Sequence, residues 1–167
     1  KTLKFGGNRF NELIISAIRL ESGKLIGMKS SEQLKIELAD LDGTSSERTR
    51  AVFARDITTG LPVKTPVSGE LVNNVIMKPV QTIAEDIRRT LDKTPPELSQ
   101  DIEDTGLWLL GGSASLTGIG NFIEKSTGLA VHIPKDPANS TIRGVTKTFS
   151  SSKYDSARYY PREKEYN

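Results

Sequence analysis

The sequence predicts a mixed α/β fold built around a pair of parallel strands. Two short apolar runs, residues 107–110 and 129–133, are each followed by a stretch with helical periodicity. The order strand, helix, strand, helix is typical of a βαβ unit, in which the two strands pair in parallel. The chain has 167 residues, 35% of them hydrophobic and 26% charged, so it can form one domain, or one domain with a small inserted lobe.

In the first half of the chain, the pattern predicts two helices and a hairpin. Asn8 can cap a helix whose apolar residues recur at helical spacing from residue 10 to 18. Ser30 and Gln33 have the spacing of a capping box, which predicts the start of a second helix. Alternating residues predict the two hairpin strands, at about 48–56 and 61–67. Two prolines in the second strand confine it to a sheet edge.

In the second half, a long amphipathic helix leads to the strand pair. It is predicted to follow Gly69 and to stop before Pro95, and Pro79 should kink it because its ring removes a backbone donor. Further helices are predicted at about 117–125 and 137–149.

The first of the two apolar runs is continuous, as expected for a strand that is covered on both faces. Trp108 is therefore assigned to the core. His132 is the single histidine of the chain, and we interpret it as a residue of the second strand rather than as a catalytic group.

Composition excludes several classes of function. The 23 Lys and Arg residues are scattered among 21 Asp and Glu residues, so no basic face for nucleic acid is predicted. The absence of cysteine excludes disulfides and thiolate metal sites, and one histidine leaves no pair for a metal or a proton shuttle. No stretch approaches the roughly 18 consecutive apolar residues of a membrane span, and a cytoplasmic location is expected.

The pattern predicts two lobes and a tail. Residues 1–20 and 70–149 would form an α/β core lobe, and residues 21–69 an inserted lobe of helix and hairpin. Residues 150–167 are polar, hold all four tyrosines, and are predicted to be a tail beyond the fold. The chain has no initiator Met and opens at once into patterned sequence, which suggests a piece of a longer protein.

The most informative motif is Leu-Leu-Gly-Gly-Ser-Ala-Ser at residues 109–115. A strand that runs into Gly111 and Gly112 places bare backbone at its carboxyl end, where ligands bind in open α/β sheets. A flat ring or a sugar could lie against these glycines, and the Ser113 hydroxyl could hydrogen-bond it. Such a motif in isolation is more often a tight turn without a ligand.

A second candidate lies on the second predicted helix. Glu32, Lys35 and Ala39 are spaced so that they share one helical face. A carboxylate beside an ammonium group could hold a ribose hydroxyl and orient an adenine. The alternative is a solvated surface ion pair, which contributes at most about 1 kcal/mol.

Taken in order, these segments resemble the second domain of the MreB family of bacterial actin homologues. The segments that carry the resemblance are Gly-Gly-Asn-Arg-Phe-Asn-Glu-Leu-Ile-Ile, Ser-Ser-Glu-Gln-Leu-Lys-Ile-Glu-Leu, Thr-Pro-Pro-Glu-Leu-Ser-Gln-Asp-Ile, Leu-Leu-Gly-Gly-Ser-Ala-Ser-Leu and Thr-Gly-Leu-Ala-Val. The resemblance covers roughly Phe5 to Phe149, and Pro-Pro-Glu-Leu followed by Gly-Gly is its most specific feature.

The resemblance implies the second domain of an actin-like, ribonuclease-H-like ATPase fold, with a small inserted lobe and ATP or ADP in a cleft. Gly111, Gly112 and Ser113 would form the adenosine motif. Glu32 and Lys35 would lie across the base and ribose. Ala39 departs from the Gly usual in the family, and Ser113 also replaces a Gly.

The resemblance also implies what this chain lacks. The phosphate loops and the acid that handles Mg²⁺ would precede residue 1, so no catalytic residue and no metal ligand is predicted here. This chain alone should not hydrolyse ATP, whereas the parent would be a slow ATPase. Any membrane-binding segment would also lie in the missing half.

The parent is expected to assemble into filaments that organise cell shape, together with the cell-wall synthesis machinery. Its inserted lobe would supply part of the filament surface. Two alternatives stay open from the residues: half of a sugar or acetate kinase of the same superfamily, or half of a chaperone ATPase. The second would carry a long peptide-binding domain after the last helix.

Overall fold

A computed structural model of the chain describes residues 2–3, 5–44 and 47–157. The helices are α1 (Gly7–Ser22), α2 (Met28–Leu38), α3 (Gly69–Leu91), α4 (Pro96–Thr105), α5 (Ile119–Thr127) and α6 (Ser140–Ser150). The strands are β1 (Lys24–Leu25), β2 (Thr49–Asp56), β3 (Pro62–Ser68), β4 (Leu107–Trp108) and β5 (Val131–His132). Short 3₁₀ helices cover Gly112–Ser115 and Ser152–Ala157.

Helices α1, α2 and α3 pack on one another around a single apolar core. Phe10, Ile14, Leu34, Val72 and Ile76 are its buried centre, each 0% or 1% exposed. Helical spacing places these side chains on one face of each helix, as the sequence predicted. Because the core runs through both predicted lobes, the structure gives no sharp boundary between them, and the division stays a prediction.

The start of α2 differs from the capping-box prediction, which is wrong. The helix begins at Met28 after Gly27, and no side chain caps it. Ser30 lies inside the first turn instead. The neighbouring Ser31 is fully buried and donates its hydroxyl to the backbone oxygen of Asn11 at 2.8 Å, so it ties α2 to α1.

Strands β1, β2 and β3 form an antiparallel sheet in that order. The predicted hairpin is confirmed, with β2 and β3 in register from Thr49 opposite Ser68 to Arg55 opposite Pro62. β3 lies at the sheet edge, as its prolines predicted. At its end the Ser68 hydroxyl accepts a hydrogen bond from the Leu71 backbone N–H and caps α3. Pro79 lies within this one continuous helix.

Strands β4 and β5 pair in parallel, which confirms the predicted pairing. The prediction that the first strand is covered on both faces is wrong, and so is the assignment of Trp108 to the core. Trp108 is 64% exposed and Leu110 51% exposed, while Leu107 and Leu109 pack against the core. Among residues 2–3, 5–44 and 47–157, one face of this two-stranded sheet packs on the core, and on the other face the ring centroids of Trp108 and His132 lie 5.0 Å apart.

The C-terminal part of the described chain is more exposed. α6 has no buried residue and presents Ile142, Val145 and Phe149 to solvent. Within the predicted tail, Tyr154 belongs to the last 3₁₀ helix, and the other three tyrosines lie outside the described residues. No helix in the described part of the chain is both long and apolar enough to cross a membrane.

Candidate functional site

A cavity of about 450 Å³ lies between α2 and the turn that follows β4. One wall carries Glu32, Lys35, Ile36 and Ala39, the opposite wall carries Gly112, Ser113, Ser115, Leu116 and Thr117, and Gly7, Phe10 and Ala138 complete the lining. Its volume is within the range of small-molecule sites, about 300–1,000 Å³. The cavity therefore brings together five of the six residues that the sequence singled out.

Lys35 is the buried charged residue of the α2 wall. It is 9% exposed, and its ammonium group donates to the backbone oxygen of Gly7 at 3.2 Å. Burial lowers the pKa of Lys35, and the nearby Glu32 carboxylate opposes that shift. Lys35 thus lies in the cavity and connects α2 to the start of α1, whereas Glu32 is exposed at the cavity rim.

Ala39 marks the end of α2. It is the C-cap of the helix and 3% exposed, and its backbone N–H donates to the backbone oxygen of Lys35. A side chain of one methyl group leaves room in the cavity at this point. Glu32, Lys35 and Ala39 line the same cavity because positions three and four apart share a helical face.

The two glycines of the turn differ in their position relative to the cavity. Gly111 has a φ of +89°, which favours glycine, and its N–H donates to the backbone oxygen of Pro137 at 2.7 Å. Gly111 is not among the residues that line the cavity. Gly112 lines it, and a Cβ atom added at Gly112 would meet nothing within 4 Å, so the space in front of it is open. A direct contact from Gly111 to a ligand stays a prediction.

Several lining residues were not singled out from the sequence. Phe10 reaches the cavity from the buried face of α1, and Ala138 comes from the loop after β5. Thr117 joins through a parallel β-bridge with Asp40. Nothing in the local sequence pattern marks Ala138, whereas Thr117 follows the glycine motif closely enough to have been a candidate.

The cavity is one of several hollows in the described structure. Another hollow of about 430 Å³ lies between α3 and α4, and its lining includes Ile83, Ile87, Leu91 and Ile102 but none of the predicted site residues. Within residues 2–3, 5–44 and 47–157, no group of three or more His, Cys, Asp and Glu side chains is placed to hold a metal ion.

Comparison with known proteins gives the family. A family profile described as "MreB/Mbl protein" matches residues 1–156. The cell shape-determining protein MreB of Escherichia coli K12 is 30% identical over 146 residues, which are 87% of this chain and 42% of that protein. The cell shape-determining protein Mbl of Bacillus subtilis is 29% identical over 144 residues, which are 86% of this chain and 43% of that protein.

Solved structures agree with the sequence relatives. The crystal structure of MreB 5 of Spiroplasma citri bound to AMPPNP superposes with a TM-score of 0.85 at 30% identity, over 94% of this chain and 47% of that one. A double helical filament of MamK shares the fold, with a TM-score of 0.73 at 20% identity over 96% of this chain and 47% of that one. The chain thus spans less than half the length of these relatives.

The actin-like fold implied by the sequence resemblance is therefore confirmed, and the chain belongs to the MreB/Mbl family of cell shape-determining cytoskeletal proteins.

Proposed function

We propose that this chain is the adenosine-binding second half of an actin-like filament protein, with ATP or ADP held between α2 and the 112–117 turn. The observation that carries the proposal is the cavity of about 450 Å³ with Glu32 and Lys35 on one wall and Gly112 and Ser113 on the other. Two similar structures, of Spiroplasma citri MreB 5, have AMPPNP and ADP bound, and these proteins are 30% and 31% identical to this chain.

The chemistry of the two walls fits a nucleoside. The Glu32 carboxylate at the rim can accept hydrogen bonds from ribose hydroxyls, and the Lys35 ammonium group can donate to a ring nitrogen or to the ribose. Gly112 has no side chain, so a purine could lie against its backbone, and the Ser113 hydroxyl can donate or accept. Ala39 leaves space for the base but offers no hydroxyl contact.

Hydrolysis is a separate question from adenosine binding. Phosphoryl transfer depends on positioned phosphates and metal ions. We assign no catalytic residue and no Mg²⁺ ligand to this chain. We infer that a slow, Mg²⁺-dependent ATPase activity would belong to a protein that joins this half to another half with the phosphate-binding elements.

The proposal extends to assembly and to the cell. We propose that the full-length protein self-associates into filaments in the cytoplasm, at the inner face of the membrane, and works with the cell-wall synthesis machinery. The outer face of the β2–β3 hairpin supports a filament contact, because Phe53 is 75% exposed there, where a solvated sheet face normally carries polar residues. Membership of a cell shape-determining family favours this function over the kinase and chaperone alternatives.

Titration of a fluorescently labelled ADP against the chain tests the adenosine site. Gly112→Arg would fill the open space in front of the glycine with a long side chain, and we expect it to weaken binding at least about tenfold. Gly144→Arg on α6 is the matched control, since a Cβ there also meets nothing within 4 Å and the site lies outside the cavity.

We expect the Gly144→Arg variant to bind like the unmodified chain. Thermal melting of both variants confirms that each is folded. Equal ADP binding by the Gly112→Arg variant and the unmodified chain would remove the proposed site.

A further inference from the structure

The segment that follows α2 runs directly into the opposite wall of the cavity. Asp40 forms a parallel β-bridge with Thr117, and the Leu41 backbone N–H donates to the Thr117 backbone oxygen at 2.9 Å. Ala39, one residue earlier, and Thr117 both line the cavity. The two walls are therefore joined at this end of the cavity by residues 40–42.

Asp40 fixes the first part of this junction. It is only 1% exposed, and its backbone N–H donates to the side-chain oxygen of Asn73 on α3 at 2.8 Å. Its carboxylate accepts from the Asp42 backbone N–H at 3.0 Å and from the Thr44 hydroxyl at 2.7 Å, and the Arg48 guanidinium group lies 3.9 Å away. A buried carboxylate with several partners holds the chain in one conformation.

Asp42, an exposed residue, makes the second set of contacts in the junction. Both of its carboxylate oxygens accept from the side-chain amide of Asn121 on α5, at 3.1 and 3.2 Å. Gly118 lies so close that a Cβ there would be 2.6 Å from the Asp42 backbone nitrogen. The contact between Asp42 and Asn121 joins residues 79 apart in sequence, and it links the end of α2 to the helix that follows the glycine turn.

We propose that Asp42 and Asn121 are positioning residues that set the separation between the α2 wall and the 112–117 wall, and through it the affinity for the adenosine group. The inference rests on the proposed function. Neither side chain lines the cavity, so each would act through the wall that it holds.

The attachments of α2 to its neighbours explain why its end could move relative to the 112–117 wall. The first half of α2 is held on α1 by the Ser31 hydroxyl, and its middle by the Lys35 ammonium group. Among the described residues, the end of α2 makes no such bond to α1, and it is held by the buried Leu38, by the ion pair of Glu37 with Arg50 of β2, and by the junction. A small rotation about the held part would move Ala39 away from Thr117, and a ligand that contacts both walls is sensitive to displacements of about 1 Å.

The test first disrupts the Asp42–Asn121 hydrogen bond and then restores it with the two side chains exchanged. Asn121→Asp places two carboxylates face to face, and adding Asp42→Asn restores an amide–carboxylate pair with the roles exchanged. Asn74→Asp is the matched control, because it makes the same substitution at an exposed position on the helix α3. Asp42→Ala serves as a second disrupting variant, which removes the carboxylate without introducing repulsion.

The readouts are ADP affinity by calorimetry and the distance between two spin labels. The chain has no cysteine, so labels can be placed uniquely with Ile36→Cys in the last turn of α2 and Lys125→Cys on α5, both exposed positions. Pulsed electron resonance then reports the distance between the end of α2 and α5 in the chain without ADP, and ADP affinity is measured on unlabelled variants.

We expect Asn121→Asp to lengthen or broaden the label distance and to weaken ADP binding about tenfold. The exchanged pair should restore both quantities, and Asn74→Asp should leave both unchanged. An unchanged label distance in Asn121→Asp and Asp42→Ala, or an exchanged pair that restores neither quantity, would overturn the inference. If the unmodified chain binds no ADP, the proposed function fails, and the label distances still decide whether the pair sets the wall separation.

Discussion

At the scale of single residues, two glycines share a backbone conformation but differ in their surroundings. Gly118 precedes α5 with a φ of +79°, and Gly128 follows it with a φ of +78°. A Cβ at Gly118 would lie 2.6 Å from the Asp42 backbone nitrogen and 2.8 Å from its carboxylate carbon, whereas a Cβ at Gly128 would meet nothing within 4 Å. Alanine substitutions at the two positions therefore separate the cost of the left-handed backbone from the cost of displacing neighbouring atoms.

We predict that Gly118→Ala destabilises the chain more than Gly128→Ala. The left-handed conformation alone costs alanine about 1 kcal/mol, which is the loss expected at Gly128. At Gly118 the residues of the 40–42 junction must also shift, so we expect a total loss of roughly 2–3 kcal/mol. Urea unfolding measures both free energies of unfolding. Equal losses would show that the junction yields to the extra methyl group at no cost.

Residue-level predictions from the sequence succeeded where local geometry decides the position of a side chain. Helical spacing alone predicted that Glu32, Lys35 and Ala39 share a face, and all three line the cavity. The exposure of Trp108 could not be predicted in the same way, because a continuous apolar run does not reveal whether another element covers each face of its strand. Asp42 also gave no signal, since its partner Asn121 is distant in sequence.

At the scale of elements, the turn between β2 and β3 is organised by one carboxylate. Asp56 pairs with Lys24 of β1 and accepts hydrogen bonds from the backbone N–H groups of Thr58 and Thr59. The hydrogen bond from Lys24, followed by those from the turn backbone, holds the pKa of Asp56 well below its usual range. The ionised form is therefore favoured in the folded chain and supports the junction of all three strands.

We predict that the stability contributed by Asp56 depends on pH. A carboxyl group whose pKa is depressed on folding contributes stability above its unfolded pKa, about 3.9, and loses it as the pH falls towards the folded value. Asp56→Asn should therefore be less stable than the unmodified chain near neutral pH, and the difference should shrink below about pH 4.

Urea unfolding at a series of pH values measures this difference. Asp104→Asn, at an exposed position on α4, is the control and should leave the pH dependence in place. A constant difference between Asp56→Asn and the unmodified chain from neutral to acidic pH would contradict the prediction.

The elements that the sequence predicted well are those with strong periodicity. α1, α3 and the β2–β3 hairpin were predicted to within a few residues, because each has many apolar positions with a fixed repeat. β1 was missed because two residues carry no period, and its pairing with β2 depends on distant contacts. The start of α2 was misplaced because serines inside a first turn can resemble a cap.

At the scale of the whole molecule, the outer face of the antiparallel sheet carries an exposed aromatic residue. Val52 and Ala54 of β2 point into the core, and Phe53 between them is 75% exposed opposite Lys64 of β3. An antiparallel sheet with one covered face normally presents polar residues on the other. Phe53 is therefore the exception on this face, and it is the residue at which the proposed filament contact can be tested.

We predict that Phe53→Glu impairs assembly of the full-length protein without affecting the nucleotide site. Sedimentation of filaments formed with ATP should show that the variant needs at least about tenfold more protein to assemble, because a buried charge replaces an aromatic contact.

Phe53→Leu is the control at the same position, and it should assemble nearly as well as the unmodified protein because leucine is also apolar. ADP binding by this chain should be equal in both variants, since Phe53 lies outside the cavity. If Phe53→Glu assembled at the same protein concentration as Phe53→Leu, the hairpin face would not be a filament contact, and the assignment of the adenosine site would stand unchanged.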